Sequence, residues 1–188
     1  MWDPYYSWQP SLVLEQHIFL VGFYGTPMAK IARFMTATTG ISLFDLERQI
    51  EHQLGTRLYS WLQSNSVAEL QHLEQQLLQS ALEANPKTVI LLMSNTLENP
   101  LCRKTFQNHP GIIVEQPLEI AWKNIQKQWR NLDTDRWLGS EVYSLEHLKT
   151  QYSTWKSHFP IHWREHAVLS QSASVIADGI VQYLQQKE

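Results

Sequence analysis

The sequence predicts an α/β domain in which a parallel sheet is covered by helices on both faces. Three observations predict it. Strand-length apolar runs alternate with segments of helical period along almost the whole chain. The run Thr88-Val89-Ile90-Leu91-Leu92-Met93 is apolar after its first residue, as a strand buried on both faces should be. The run Ile18-Phe19-Leu20-Val21 ends in a glycine turn, Gly22-Phe23-Tyr24-Gly25, and then opens into the amphipathic stretch Ile31-Ala32-Arg33-Phe34-Met35. Strand, tight loop and helix in that order bring backbone N–H groups and a helix N-terminus together around an anion.

The elements follow in order. After the first helix, Thr36 to Gly40 turns into a second strand, Ile41 to Phe44. Asp45 and Glu47 stand at its carboxyl end, where open α/β sheets bind ligands, and also where helix-capping acids belong. A helix runs through Ile50 and Glu51 to Gly55, and two more are expected over Arg57–Gln63 and Val67–Ala84. In the second of these, Leu70, Leu73, Leu77 and Leu78 share a face, and the Gln and Glu residues read as its solvated side. Asn85-Pro86 ends it. Beyond the Thr88 strand, Ser94-Asn95-Thr96 reads as a polar turn, with a short helix near Arg103. Gly111–Glu115 is the fourth strand and Leu118–Leu132 the helix after it. Asp133–Gly139 reads as a connection, Leu145–Lys156 and the stretch after Pro160 as helices, Ala167–Leu169 as the fifth strand, and Ala173–Gln186 as the closing helix. The result is a three-layer sandwich around a parallel five-stranded sheet.

Composition bounds the function. With 188 residues the chain is one domain, read as an aromatic N-terminal extension over 1–15 and a folded unit over 16–188. A net charge of −3 supplies no electrostatic footprint for nucleic acid. No run approaches the ~20 apolar residues that span a bilayer, and the N-terminus has no signal-peptide pattern. The single Cys102 forms no internal disulfide and reads as a buried structural thiol. Together these point to the cytoplasm. Trp2, Tyr5, Tyr6 and Trp8 precede the first strand. They read as rings packed on the domain itself, or as an anchor for a protein partner.

The glycine turn departs from the nucleotide pattern that it suggests, Gly-x-x-Gly-x-Gly-Lys-Ser/Thr. Gly22 and Gly25 fit, but Pro27 replaces the third glycine, Met28 the lysine and Ala29 the hydroxyl residue. Proline removes an N–H and fixes φ, methionine removes the cation facing the phosphates, and alanine removes the Mg²⁺-holding hydroxyl. Each lost donor of this kind costs about two to three decades in rate. Lys30, two positions on, is the substitute cation.

From about Gln16 to Leu184 this order of elements resembles shikimate kinase, a small relative of the nucleoside-monophosphate kinases. The resemblance rests on Ile18-Phe19-Leu20-Val21-Gly22-x-x-Gly25 and on Phe44-Asp45-x-Glu47-x-x-Ile50-Glu51. It implies a magnesium role for Asp45, a substrate-hydroxyl role for Glu47, and a lid arginine at Arg136 in Asp135-Arg136-Trp137-Leu138. The departures are joint. The family's Gly-Gly-Gly after the third strand is Ser94-Asn95-Thr96 here, and its two carboxylate-binding arginines correspond to Gln71 and His158. A carboxylate substrate without those arginines loses neutralisation and orientation together.

The expectation is therefore a shikimate-kinase-like pseudoenzyme that binds a protein partner or a small ligand. It needs no cofactor, with ATP and Mg²⁺ entering only through a competent loop. The alternative is an ATP-dependent small-molecule kinase in which Gly22, Gly25 and Lys30 hold nucleotide, Glu47 and Arg136 hold substrate, and Lys30, Asp45 and Arg136 act in catalysis. A third pattern, His162-Trp163-Arg164-Glu165-His166, matches a zinc-peptidase motif. On a helix, His162 and His166 would share a metal-binding face, the alternative being a polar helix end.

Overall fold

A computed structural model describes residues 12–84, 86–131, 144–167 and 172–186. Five parallel strands form one sheet: β1 Ile18–Gly22, β2 Ser42–Asp45, β3 Thr88–Leu91, β4 Gly111–Glu115 and β5 Arg164–Ala167, in the order β2-β3-β1-β4-β5. The helices are α1 Met28–Thr39, α2 Leu46–Leu54, α3 Leu58–Leu62, α4 Val67–Glu83, α5 Arg103–Asn108, α6 Leu118–Asn131, α7 Leu145–Lys156 and α8 Ala173–Gln185. The α/β sandwich with a parallel five-stranded sheet is as the sequence predicts. Among the described residues, no helix is long and apolar enough to cross a membrane.

Alternation along β1 shows why its run is apolar on both sides. Phe19 and Val21 enter one core with Ile50, Leu78 and Trp155, while Leu20 enters the other with Ile31, Met35 and Ile180. Each fully buried side chain of this size contributes about 1.5–3 kcal/mol. Helix starts follow local chemistry. The Asp45 carboxylate accepts from the Arg48 N–H at 3.3 Å and caps α2. Ser66 and Glu69 form a reciprocal capping box at the start of α4.

Three expectations need correction. The stretch after Pro160 is a turn, and the fifth strand begins at Arg164 rather than Ala167. Tertiary contacts decide this: the Trp163 indole Nε1 donates to the carbonyls of Phe106 and His109 at 3.1 and 2.9 Å. Its ring lies where a Cβ on Gly111 would come within 2.3 Å, so only glycine admits it there. His162 and His166 consequently share no helix; the first lies in that turn and the second in β5. Ser94–Glu98 is a 3-10 helix rather than only a polar turn over Ser94-Asn95-Thr96. Glu74 is not on a solvated face but buried, 1 % exposed. Its two oxygens accept from Thr96 Oγ1 at 2.9 Å and Asn99 Nδ2 at 2.7 Å, pinning α4 to the 3-10 segment.

Candidate functional site

The carboxyl ends of β1, β2 and β3 open into a cleft of about 820 Å³. One end is the turn between β1 and α1; the other is the start of α2 with the facing α3. Gly22, Gly25, Lys30, Asp45 and Glu47 all line it, so the fold brings five sequence-predicted residues to one cavity. Arg136 lies outside the described residues, as do Trp2, Tyr5, Tyr6 and Trp8. His162 stands at the opposite, amino edge of the sheet, its Nε2 3.0 Å from the His109 carbonyl. Among the described residues no group of three or more His, Cys, Asp or Glu could hold a metal ion.

The turn end is bonded to itself. Thr26 N–H donates to the Phe23 carbonyl at 3.0 Å and Met28 N–H to the Thr26 carbonyl at 2.8 Å. Pro27, with φ −79° and ψ 57°, is the centre of that last bond and has the geometry of an inverse γ-turn. Two donors that could face an anion are thereby engaged, and proline carries none. Met28 lines the cleft but does not extend into solvent. It is buried with Leu20 and Ile31, and its Sδ lies 2.5 Å from where a Cβ on residue 22 would stand. Gly22 therefore admits a methionine side chain. Gly25 has φ +82° and would place a Cβ 2.3 Å from the Ala121 carbonyl oxygen, while Asn124 Nδ2 donates to its own carbonyl at 2.9 Å. α6 thus clamps the turn from behind.

The floor is closed from beneath. Ser94 Oγ donates to the Gly22 carbonyl at 2.7 Å, and the Trp155 indole donates to the Ser94 carbonyl at 2.6 Å. The backbone after β3, where the resemblance implies bare glycine against substrate, is bonded to this chain's own side chains. Trp155 is fully buried and packs on Phe23 and Phe159. α7 is drawn onto β4 as well, since Tyr152 Oη and Lys156 Nζ both donate to the Glu115 carboxylate.

At the acid end, Glu51 accepts from Arg57 Nη1 at 3.0 Å and from the Leu58 N–H at 3.1 Å, which holds the start of α3. Glu47 is open to the cleft yet enclosed by its walls. That burial, then the carboxylates of Glu51 and Asp45, push it above the usual carboxylate range, with Arg57 opposing. Burial pushes the Glu74 carboxyl up to about 7 against the hydrogen bonds from Asn99 and Thr96. The Cys102 thiol is held at about 12, by burial and by Glu74, and is no nucleophile. Gln71 uses its backbone carbonyl to accept from Asn99 Nδ2 at 2.9 Å.

Sequence reasoning missed Ser94 and Trp155 as a pair, Asn124 and Arg57. Arg57 after a glycine turn was the one visible signal. The others act on residues 61 to 99 positions away, which no local pattern reports.

No family model and no curated protein matches the chain by sequence. Solved structures do match by shape. A shikimate kinase from Acinetobacter baumannii in complex with shikimate is 19% identical, with a TM-score of 0.69 over 92% of this chain and 94% of that one. The shikimate kinase of Aquifex aeolicus gives 0.71 at 12% identity, covering 92% and 98%. A gluconokinase from Sinorhizobium meliloti gives 0.57 at 9% identity, covering 94% and 95%. At such identities likeness speaks to architecture alone: the chain has the shikimate-kinase-like P-loop kinase fold.

Proposed function

We propose that this chain is a shikimate-kinase-like pseudoenzyme, a binding protein that uses its cleft for a small ligand without transferring a phosphoryl group. The observation that carries the reading is the Met28 N–H held on the Thr26 carbonyl around Pro27. A phosphate cradle needs such donors free and convergent, and phosphoryl transfer is almost entirely positioning and charge stabilisation. The buried Met28 and the self-bonded backbone at Ser94 support it from both halves of the cleft. A protein partner, where one acts, would meet the aromatic N-terminus. The test is a thermal melt with Mg·ATP, Mg·ADP or shikimate, beside a phosphotransfer assay. No shift and no turnover are expected; turnover of shikimate at kinase-like rates would overturn the reading.

A second reading keeps catalysis: an ATP-dependent kinase of another small molecule, with Lys30 as the loop cation. It is favoured by Lys30 and Asp45 lining the same cleft. On that reading Lys30→Met abolishes turnover, by about two to three decades. On the first reading there is no turnover to lose.

A further inference from the structure

The cleft holds charges of both signs that do not meet. Lys30 and Glu47 both line it. Among the described residues, neither has an ion-pair partner. Asp45 gives one oxygen to the Arg48 N–H and is otherwise turned to the same cavity. The one pair formed on its lining joins Glu51 to Arg57, and it also serves the start of α3.

The two ends ask for different groups. At the turn end, α1 begins with no acid in its first turn and no side-chain cap, so its positive end is not neutralised from within. Lys30 stands in that first turn. A triphosphate needs the convergent cradle that the Pro27 turn does not offer, whereas a single anionic group needs one cation and the helix end. At the other end, Glu47 lies among Asp45 and Glu51. A ligand carboxylate would be repelled there and an ammonium group attracted. Tyr59 walls this part of the cleft with a ring suited to an apolar spacer.

We propose that the cleft binds a small zwitterion, with its ammonium group at Glu47 and Asp45 and its anionic group at Lys30. Such a ligand places a counter-charge at Lys30 and at Glu47 at once, and each contact is a charge-assisted hydrogen bond. The inference rests on the reading above that the cleft is a ligand site whose turn end does not hold nucleotide.

The test is a melt and calorimetric titration with a series of linear ω-amino acids of increasing length, at millimolar concentration. Succinate serves as the dianion control and putrescine as the dication control. At a hundredfold its dissociation constant, at least one ω-amino acid raises the melting midpoint by about 5 °C or more, and neither control does. Glu47→Gln and Lys30→Met each weaken that binding by about tenfold or more. Glu146→Gln, at an exposed position of α7, leaves it unchanged. The proposal is overturned if no member of the series binds, if either control binds as well, or if both cleft variants bind like wild type. Phosphotransfer from Mg·ATP is followed in the same samples. Turnover would break the non-catalytic reading and, with it, the assignment of Lys30 to the ligand's anionic group; neither binding nor turnover would break the zwitterion alone.

Discussion

Two glycine turns, one on the cleft lining and one joining α2 to α3, are built oppositely. Gly25 and Gly55 both sit at positive φ, +82° and +65°. Around Gly25 the backbone is packed: the Ala121 carbonyl stands where a side chain would go, and Asn124 bonds the carbonyl of the glycine itself. A Cβ added at Gly55 would meet nothing within 4 Å, and the turn is held by one exposed ion pair and one carboxylate-to-amide bond. The first turn is a wall with its donors spent internally. The second is a light clasp beside unpaired acids. A cleft built this way is packed at its β1–α1 turn and lightly held at the start of α3.

The largest expected effect breaks the comparison directly. Gly25→Ala adds a clash with backbone to an unfavourable φ and costs roughly 3 kcal/mol or more. Gly55→Ala meets open space and costs only the left-handed penalty, about 1 kcal/mol. Urea midpoints measure both. Equal costs would show that the two turns are not differently built.

Next is pH, where the cleft's support behaves unlike the opposite edge of the sheet. Glu74 holds its proton up to about 7 in the folded state, against 4.5 unfolded. That raised value means a contribution to stability fully present below 4.5 and lost as pH rises through about 7, worth roughly 3 kcal/mol. At the amino edge, burial, Lys87 and His109 hold His17 below its usual 6.5, and its Nδ1 accepts from the Thr88 N–H. Burial and Lys87 lower His109 as well. Lowered histidines run the other way: stability is present above 6.5 and falls as pH drops below it. Melting midpoints across pH in wild type and Glu74→Gln should differ in slope mainly between 4.5 and 7 and stay offset above that, the variant lacking the loss with rising pH. Parallel curves would remove Glu74 as their cause.

The smallest effect sharpens the account of the turn. Restoring the motif with Pro27→Gly, Met28→Lys and Ala29→Ser frees the Met28 amide position and supplies the missing cation and hydroxyl. Mg·ADP should then raise the melting midpoint by a few degrees where wild type gives none. An unchanged triple variant would mean that the Ser94–Trp155 floor or the α6 clamp also excludes nucleotide.

Much of this was legible in advance. The strands were readable because β1 and β3 are apolar on both faces, and the turn because glycine and proline act through local sterics. Asp45 as a cap was one of two local readings, and its bond to Arg48 favours that reading. The segment after Pro160 was not legible, since its conformation is set by Trp163 docking on the carbonyls of Phe106 and His109. Glu74 was not either: its partners lie 22 and 25 residues away, and a Gln- and Glu-rich helix gives no sign which acid turns inward.

The sequence by itself determined the class of fold, the order of its elements and the loss of the loop's cation and hydroxyl at Met28 and Ala29. Those are matters of period, of backbone sterics and of side-chain chemistry at a single position. Only the tertiary structure decided that the Pro27 turn bonds to itself, that Met28 lies beneath Gly22, and that Lys30 and Glu47 face one cavity unpaired. Each depends on which distant group occupies a neighbouring space, and that is fixed when the whole core packs.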